Sequence, residues 1–412
     1  MGNGAFVGCS SVTSIMVDEN NTIYDSRDNC NAIILTSENT LIAGCQSTII
    51  PNTVTIIANG AFSGCTNLIS IEIPASVIGI AEGSFSGCDN LTTITVDENN
   101  KTFDSRDNCN AIISTGFNDL IVGCKSTVIP NTVTSIGPSA FSECSSLTSI
   151  EIPNSVTSIG QGAFRGCSSL TSVKLSANID FINIDTFYLC SSLTNIEIPA
   201  NVTSLEQSAF NGCTSLERVY FIGDSKLTTI KDGVFTRCSN LTNISIPTTV
   251  ESLGDMVFYE CTSLTKMTLS STITRIGSST FYNCTNLEDV LIGAKLTIIP
   301  RETFYGCTSL KSVAIPDTVT TIAGDAFREC KNLESILIPY SVKIVESNAF
   351  RGCTNLKNIY YTLYETEWVK VYVYDGGNTN FTSATVYYLS KEEPTISGNF
   401  WHYDDNGKPV LW

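Results

Sequence analysis

Apolar positions in this chain fall in a fixed order, seen in one stretch as Leu147, Ile150, Ile152, Pro153, Val156, Ile159, Ala163, Phe164 and Cys167. Isoleucines two apart with a polar residue between them predict a short strand burying two side chains. Pro153 ends that strand, because proline cannot donate to a ladder. Val156 and Ile159 predict a second extended piece. Ala163, Phe164 and Cys167 have the spacing of one helical turn facing inward, so residues 160–167 are expected to turn a corner.

The same order recurs as L-x-x-I-x-I-P-x-x-V-x-x-I-x-x-x-A-F-x-x-C-x-x. F-x-x-C occurs thirteen times from Phe6 to Phe350, in steps of 56, 23, 56, 23, 23, 23, 25 and then five of 23. A fixed period in the twenties predicts a solenoid, whose units bury their apolar faces only against their neighbours. The step of 25 contains two extra residues in "FIGDSKLTTI", the kind of insertion a surface loop tolerates. Parallel strands of successive coils would lie ~4.8 Å apart, giving a curved rod on the order of 70 Å long for about fifteen coils.

These residues resemble the leucine-rich-repeat superfamily, and "LTSIEIPNSVTSIGQGAFRGCSS" is most similar to the BspA-like class of 23-residue repeats. The resemblance covers residues 1–360. It implies an α/β-type repeat solenoid, mostly of short parallel β-strands with short helical turns or loops. It also implies export to the cell surface and a role in adhesion to host proteins or to other cells. Pro, Ser and Thr stand where leucine-rich repeats usually carry an asparagine ladder.

The two 56-residue steps, residues 6–61 and 85–140, are related to each other. "VDENNTIYDSRDNCNAIILTSENTLIAGCQSTIIPNTV" matches "VDENNKTFDSRDNCNAIISTGFNDLIVGCKSTVIPNTV" at a constant offset of 79. Each is expected to hold two coils, with a hairpin replacing one Phe-x-x-Cys corner; "NAII" and "TLIAG" would be its strands. Folding about "LTSEN" sets Cys30 opposite Cys45, and likewise Cys109 opposite Cys124. Directly opposed antiparallel residues come within disulfide reach, so Cys30–Cys45 and Cys109–Cys124 are either disulfides or pairs of small buried thiols. "VDENN" and "YDSRDN" gather Asp, Glu and Asn but lack the alternate oxygen ligands and glycine bend of a calcium loop. A cation, Arg27 or Arg106, sits among the acids in each. They read as structural turns.

After Leu356 the period stops. Residues 361–412 hold all three tryptophans, and "WVKVYVY" and "ATVYYL" alternate as strands do. A solenoid end exposes its core, so this segment is expected to be a small β-rich cap. Trp401, Tyr403 and Trp412 could instead form an aromatic platform for a sugar ring.

Composition narrows the function classes. Forty Asp and Glu against 23 Lys and Arg give a net charge of −17, which disfavours nucleic acid and anionic lipid as partners. No apolar run is long enough to span a membrane. The N-terminus shows no signal-peptide pattern; "MGNGAFVGC" aligns with Ile159–Cys167, placing Met1 in an isoleucine column. A fragment whose targeting segment is missing is therefore expected.

Catalytic and metal constellations are not evident, and neither an enzyme nor a cofactor is expected. No two of the 17 cysteines form a C-x-x-C pair, and cysteine behaves as a small buried hydrophobe. The cysteine column therefore reads as an inward ladder of free thiols rather than as disulfides or a metal site. The single histidine, His402, reads as a surface or cap residue.

Function in a solenoid belongs to exposed residues that ignore the repeat. The outward position between the strand isoleucines runs Met16, Glu72, Thr95, Glu151, Lys174, Glu197, Tyr220, Ser245, Thr268, Leu291, Ala314, Leu337, Tyr360. Tyr220 and the run Leu291, Ala314, Leu337 and Tyr360 form a candidate contact patch, unless the C-terminal segment folds over the run. The expected partner is a protein or glycoprotein, host-derived ones included, bound by a monomer through a concave sheet. A carbohydrate-binding module or a passive spacer are the alternatives.

Overall fold

A computed structural model describes residues 6–293, 295–395 and 397–412. The alignment of Met1 with the isoleucine column lies outside them. The chain forms two compact units, Met1–Thr214 with Phe221–Ser225, and Ser215–Tyr220 with Lys226–Trp412.

In both units most I-x-I segments are short strands, and they pair in parallel with the equivalent segment of a neighbouring coil; Ile244–Ile246 forms no strand. In the first unit Ser70–Ile73 lies on Thr93–Val96, with Ile71 beside Ile94 and Glu72 beside Thr95. In the second, Ser312–Ala314, Ser335–Ile338 and Asn358–Tyr361 stack likewise. Alternation is as the sequence predicts: Ser70 and Glu72 are exposed, Ile71 and Ile73 buried. Proline then closes a turn, its carbonyl accepting from the N–H of the valine three residues on, as at Pro153 and Val156 (3.0 Å). Behind it runs a column of two-residue strands, among them Ser135–Ile136, Ser158–Ile159 and Thr321–Ile322.

The corner differs from the expected helical turn. Residues two before and two after the phenylalanine have left-handed backbones, for example Gly162 and Gly166 around Phe164, and Met256 and Glu260 around Phe258. That alternation aims every second N–H at the next coil: Met256, Phe258 and Glu260 donate to Ser278, Thr280 and Tyr282 at 2.8–2.9 Å. A helix would have spent those donors within its own turn. The left-handed demand explains the glycines of G-A-F-x-G-C, since glycine alone takes that conformation at no steric cost.

Corner side chains build the core. Phenylalanine rings stack face to face through each unit, from Phe164 on Phe187 (5.4 Å) to Phe327 on Phe350 (5.2 Å). All are fully buried, each burial contributing about 1.5–3 kcal/mol.

The 56-residue units contain the expected hairpin. Ala32–Leu35 pairs antiparallel with Thr40–Gly44, which then lies parallel to Ile56–Ile57. The hairpin carries no corner, so corners 56 residues apart in sequence become neighbours: Gly87 N–H donates to Ser142, and Ser145 Oγ to Asp89 (2.6 Å). Each Phe that follows a hairpin then meets glycine on its hairpin side, while its other face stacks on the next ring at 4.9 Å. A Cβ at Gly44 would collide with Phe62, and one at Gly123 with Phe141.

The acidic turns are structural, as expected. Arg27 binds Asp25 through two parallel contacts (Nε 2.8 Å, Nη2 2.6 Å) and Asn39 through Nη1 (2.8 Å). Arg106 repeats this with Asp104 and Asn118. The guanidinium thus ties the segment before the hairpin to its turn.

The cysteine pairs differ from a directly opposed arrangement. Ala32 faces Gly44, and Cys30 and Cys45 lie just beyond the paired residues. Both are free buried thiols; Cys30 Sγ points to its own strand's Ala32 carbonyl (3.8 Å), Cys45 Sγ to Asn31 (3.4 Å). Cys109 and Cys124 behave identically, turned to Ala111 and Asn110. A register offset at the hairpin mouth gives each thiol a carbonyl partner of its own.

The segment from residue 361 does more than cap. Tyr372–Val373 joins the column of two-residue strands, Thr385–Leu389 pairs with Asn358–Tyr361, and Phe381 stacks on Phe350 (4.5 Å). One more coil is therefore built without the sequence motif. Buried Asn378 completes it, accepting from Phe350 N–H and donating to the Glu346 and Tyr374 carbonyls. Phe400–Tyr403 then continues the sheet in parallel, and Pro409–Leu411 closes it antiparallel, leaving a proline on the edge.

Candidate interaction surface

Two columns of each coil invite a functional reading: the cysteines and the outward strand positions. Nine cysteines, from Cys88 to Cys353, donate S–H to the carbonyl of the preceding coil's corner phenylalanine at 3.0–3.2 Å. Burial pushes the Cys65 thiol up to about 11 and those of Cys144, Cys213 and Cys353 up to about 12. Such thiols stay protonated and are poor nucleophiles and ligands. Spacing alone did not reveal their role as donors tying coil to coil. Among the described residues, no group of three or more His, Cys, Asp or Glu could hold a metal ion, and no helix is long and apolar enough to cross a membrane.

The outward column is free of such demands, and it has two members beyond those expected. In the hairpin units "TIIP" and "TVIP" occupy the place of I-x-I-P, putting Ile49 one coil before Glu72 and Val128 one coil before Glu151. The inward position there is threonine. Thr48 Oγ1 accepts from Cys45 N–H and donates to Asn31 O, both 2.7 Å, and Thr127 repeats the bridge. With its first isoleucine replaced, the strand signal is weak, but the proline and spacing remain legible. Ile49 and Val128 are 76% and 74% exposed, and Met16 is 85% exposed. The first unit therefore presents three large apolar side chains at positions equivalent to its strand column.

In the second unit, Leu291 is 63% exposed and Tyr220 is exposed, and Ala314 is exposed as well. Leu337 and Tyr360 are half-buried. Tyr360 packs against Tyr387 (5.8 Å) and edge-on against Trp401 (5.6 Å). The C-terminal segment thus covers the last member of the run and leaves the first open. Polar neighbours in the column pair across coils: Lys174 reaches Glu151 (2.6 Å), a solvated pair that contributes little. On the corner side, Tyr259, Tyr282 and Tyr305 stack at 4.7 and 4.5 Å, half-exposed with their ring faces against one another.

The three aromatics weighed as an alternative sugar platform do not lie together on one face. Trp401 is fully buried, with its Nε1 donating to Tyr361 O (2.9 Å). Tyr403 packs on Trp401, whereas Trp412 stacks on His402 (3.8 Å). Strand alternation puts residues 401 and 403 on one face and His402 on the other, so Tyr403 and Trp412 cannot share one ligand ring.

The family model described as BspA type leucine rich repeat region (6 copies) matches residues 38–121, 110–242 and 228–357. A leucine-rich repeat protein from Bacteroides ovatus is 27% identical over 91% of this chain and 100% of its own, with a TM-score of 0.62. A leucine rich cell surface protein from Faecalibacterium prausnitzii gives 24%, 89%, 100% and 0.50. The pneumococcal vaccine antigen PcpA gives 21%, 93%, 94% and 0.53. No curated protein matches the chain. By corner motif, parallel strand columns and the extent of the family match, the chain belongs to the BspA-type leucine-rich-repeat family.

Proposed function

We propose that the chain is a non-catalytic scaffold, displayed at the cell surface or secreted, that binds a protein or glycoprotein, host proteins included, through its outward strand column. The observation that carries this reading is the exposure of Met16, Ile49, Val128 and Leu291. They stand in a column where neighbouring coils carry Glu, Thr and Lys. Large exposed apolar side chains on a regularly repeating scaffold mark contact surfaces, and packing inside the coil asks nothing of these positions. Membership of a family of repeat scaffolds supports the same reading.

Capture of partners from host mucosal and extracellular-matrix extract tests it. Leu291→Asp and the pair Ile49→Asp and Val128→Asp are expected to reduce capture about tenfold or more, the equivalent of about 1.4 kcal/mol. Capture that all three substitutions leave unchanged would refute the column as the contact surface.

A further inference from the structure

Among the aromatic rings from Tyr360 onward, nearly all are spent on one another. Tyr360, Tyr387, Trp401 and Tyr403 form one cluster, Tyr361, Trp368 and Phe381 a second, Tyr372 and Tyr374 a pair. Trp412 takes His402. Three rings have no ring partner among the described residues: Tyr364, Tyr388 and Phe400. All three line one groove of about 480 Å³.

The groove follows from how the last coils end. Tyr388 is in register with buried Tyr361 and with Phe400 on the next strand, so both stand on the core-facing side of the sheet. No corner follows to seal that side; Tyr364 and the start of the short helix Glu365–Trp368 lean over it instead. Gly398 keeps it open, because a Cβ there would lie 2.6 Å from the Phe400 ring. Tyr364 is 68% exposed. Glu365 has no ion-pair partner and Asn399 no side-chain hydrogen bond among the described residues. Aromatic walls with a free carboxylate and a free amide suit a ligand with an apolar ring face and a hydroxylated rim.

We propose that this groove binds a single neutral pyranose ring, stacked on Tyr364 with its hydroxyls shared between Glu365 and Asn399. The carboxylate accepts from adjacent hydroxyls, and the amide both donates and accepts. Glu365 and the net charge of −17 reject sialylated or sulfated sugars. The site is distinct from the strand column, so either can fail alone.

Saturation-transfer NMR on the whole chain tests the assignment, with methyl β-galactopyranoside and N-acetylglucosamine as probes and N-acetylneuraminic acid as the anionic control. At about 10 mM, a concentration suited to millimolar affinity, transfer is expected to at least one neutral ring and not to the anion. Tyr364→Ala should abolish it, and Glu365→Gln should weaken binding about tenfold. Both positions are on the surface, so unchanged circular dichroism will confirm folded variants. Absence of transfer to both neutral sugars, equal transfer to the anion, or transfer surviving Tyr364→Ala would overturn the proposal, as would binding only of an aromatic peptide to the groove.

Discussion

Within a single coil, the corner and the outward strand position obey opposite rules. The corner phenylalanine recurs at every step because its ring must meet the same ring above and below; Phe281 lies 5.5 Å from Phe258 and 5.4 Å from Phe304. A few residues away the outward position carries Lys, Glu, Tyr or Leu without pattern. Regularity marks where packing chooses the residue, and irregularity marks where something outside the coil can choose it.

Substitutions should separate the two. Phe281→Ala opens a void inside the ring stack and should lower stability by about 3–5 kcal/mol, read by urea denaturation. A cost below about 1 kcal/mol would mean the stack is not a closely packed core. Next comes Gly123→Ala, whose added methyl meets the Phe141 ring; about 1–3 kcal/mol is expected, with the same change at the solvent-exposed Gly116 harmless. Cys284→Ala removes the S–H donor to Phe258 (3.1 Å) and a buried sulfur, a loss of about 1–2 kcal/mol.

The smallest stability effect lies in the turn before the hairpin. The Arg27 hydrogen bonds hold the Asp25 carboxyl down to about 2 from 3.8, against an opposing push from burial, with Thr36 adding to the lowering. A folded value below the unfolded one stabilises above about pH 4, and that contribution is lost as pH falls toward 2. Because the pair sits near the surface, solvent screening limits it to about 1 kcal/mol. Asp25→Asn should flatten that part of the stability–pH curve; an unchanged slope would show that the pair contributes nothing.

The contrast also explains what could be read from sequence. Alternation around Ile150 and Ile152 foretold strands, and "NAII" and "TLIAG" on either side of "LTSEN" foretold the hairpin that recurs 79 residues later, because alternation and turn residues are local signals. Spacing suggested a helical turn at Ala163–Cys167; left-handed residues flanking the phenylalanine replace it, and only the recurring glycines hinted at that. Ile49 and Val128 escaped the outward column because threonine stands in the preceding inward position. Phe381 escaped the ring stack because Ala384 replaces the cysteine and the coil is longer than 23 residues. Trp401 looked available but is buried, its Nε1 donating to the Tyr361 carbonyl, a long-range contact that no local pattern encodes. Exposure, which defines the candidate surface, followed from alternation at Leu291 but not at Tyr360, where a distant segment covers it.

The most direct test pairs stability with binding in one variant, Leu291→Asp. At an exposed position its unfolding free energy should stay within about 0.5 kcal/mol of the unmodified chain, while capture from mucosal and matrix extract falls about tenfold. Undiminished capture by a variant of unchanged stability would contradict the division of labour between corner and outward column.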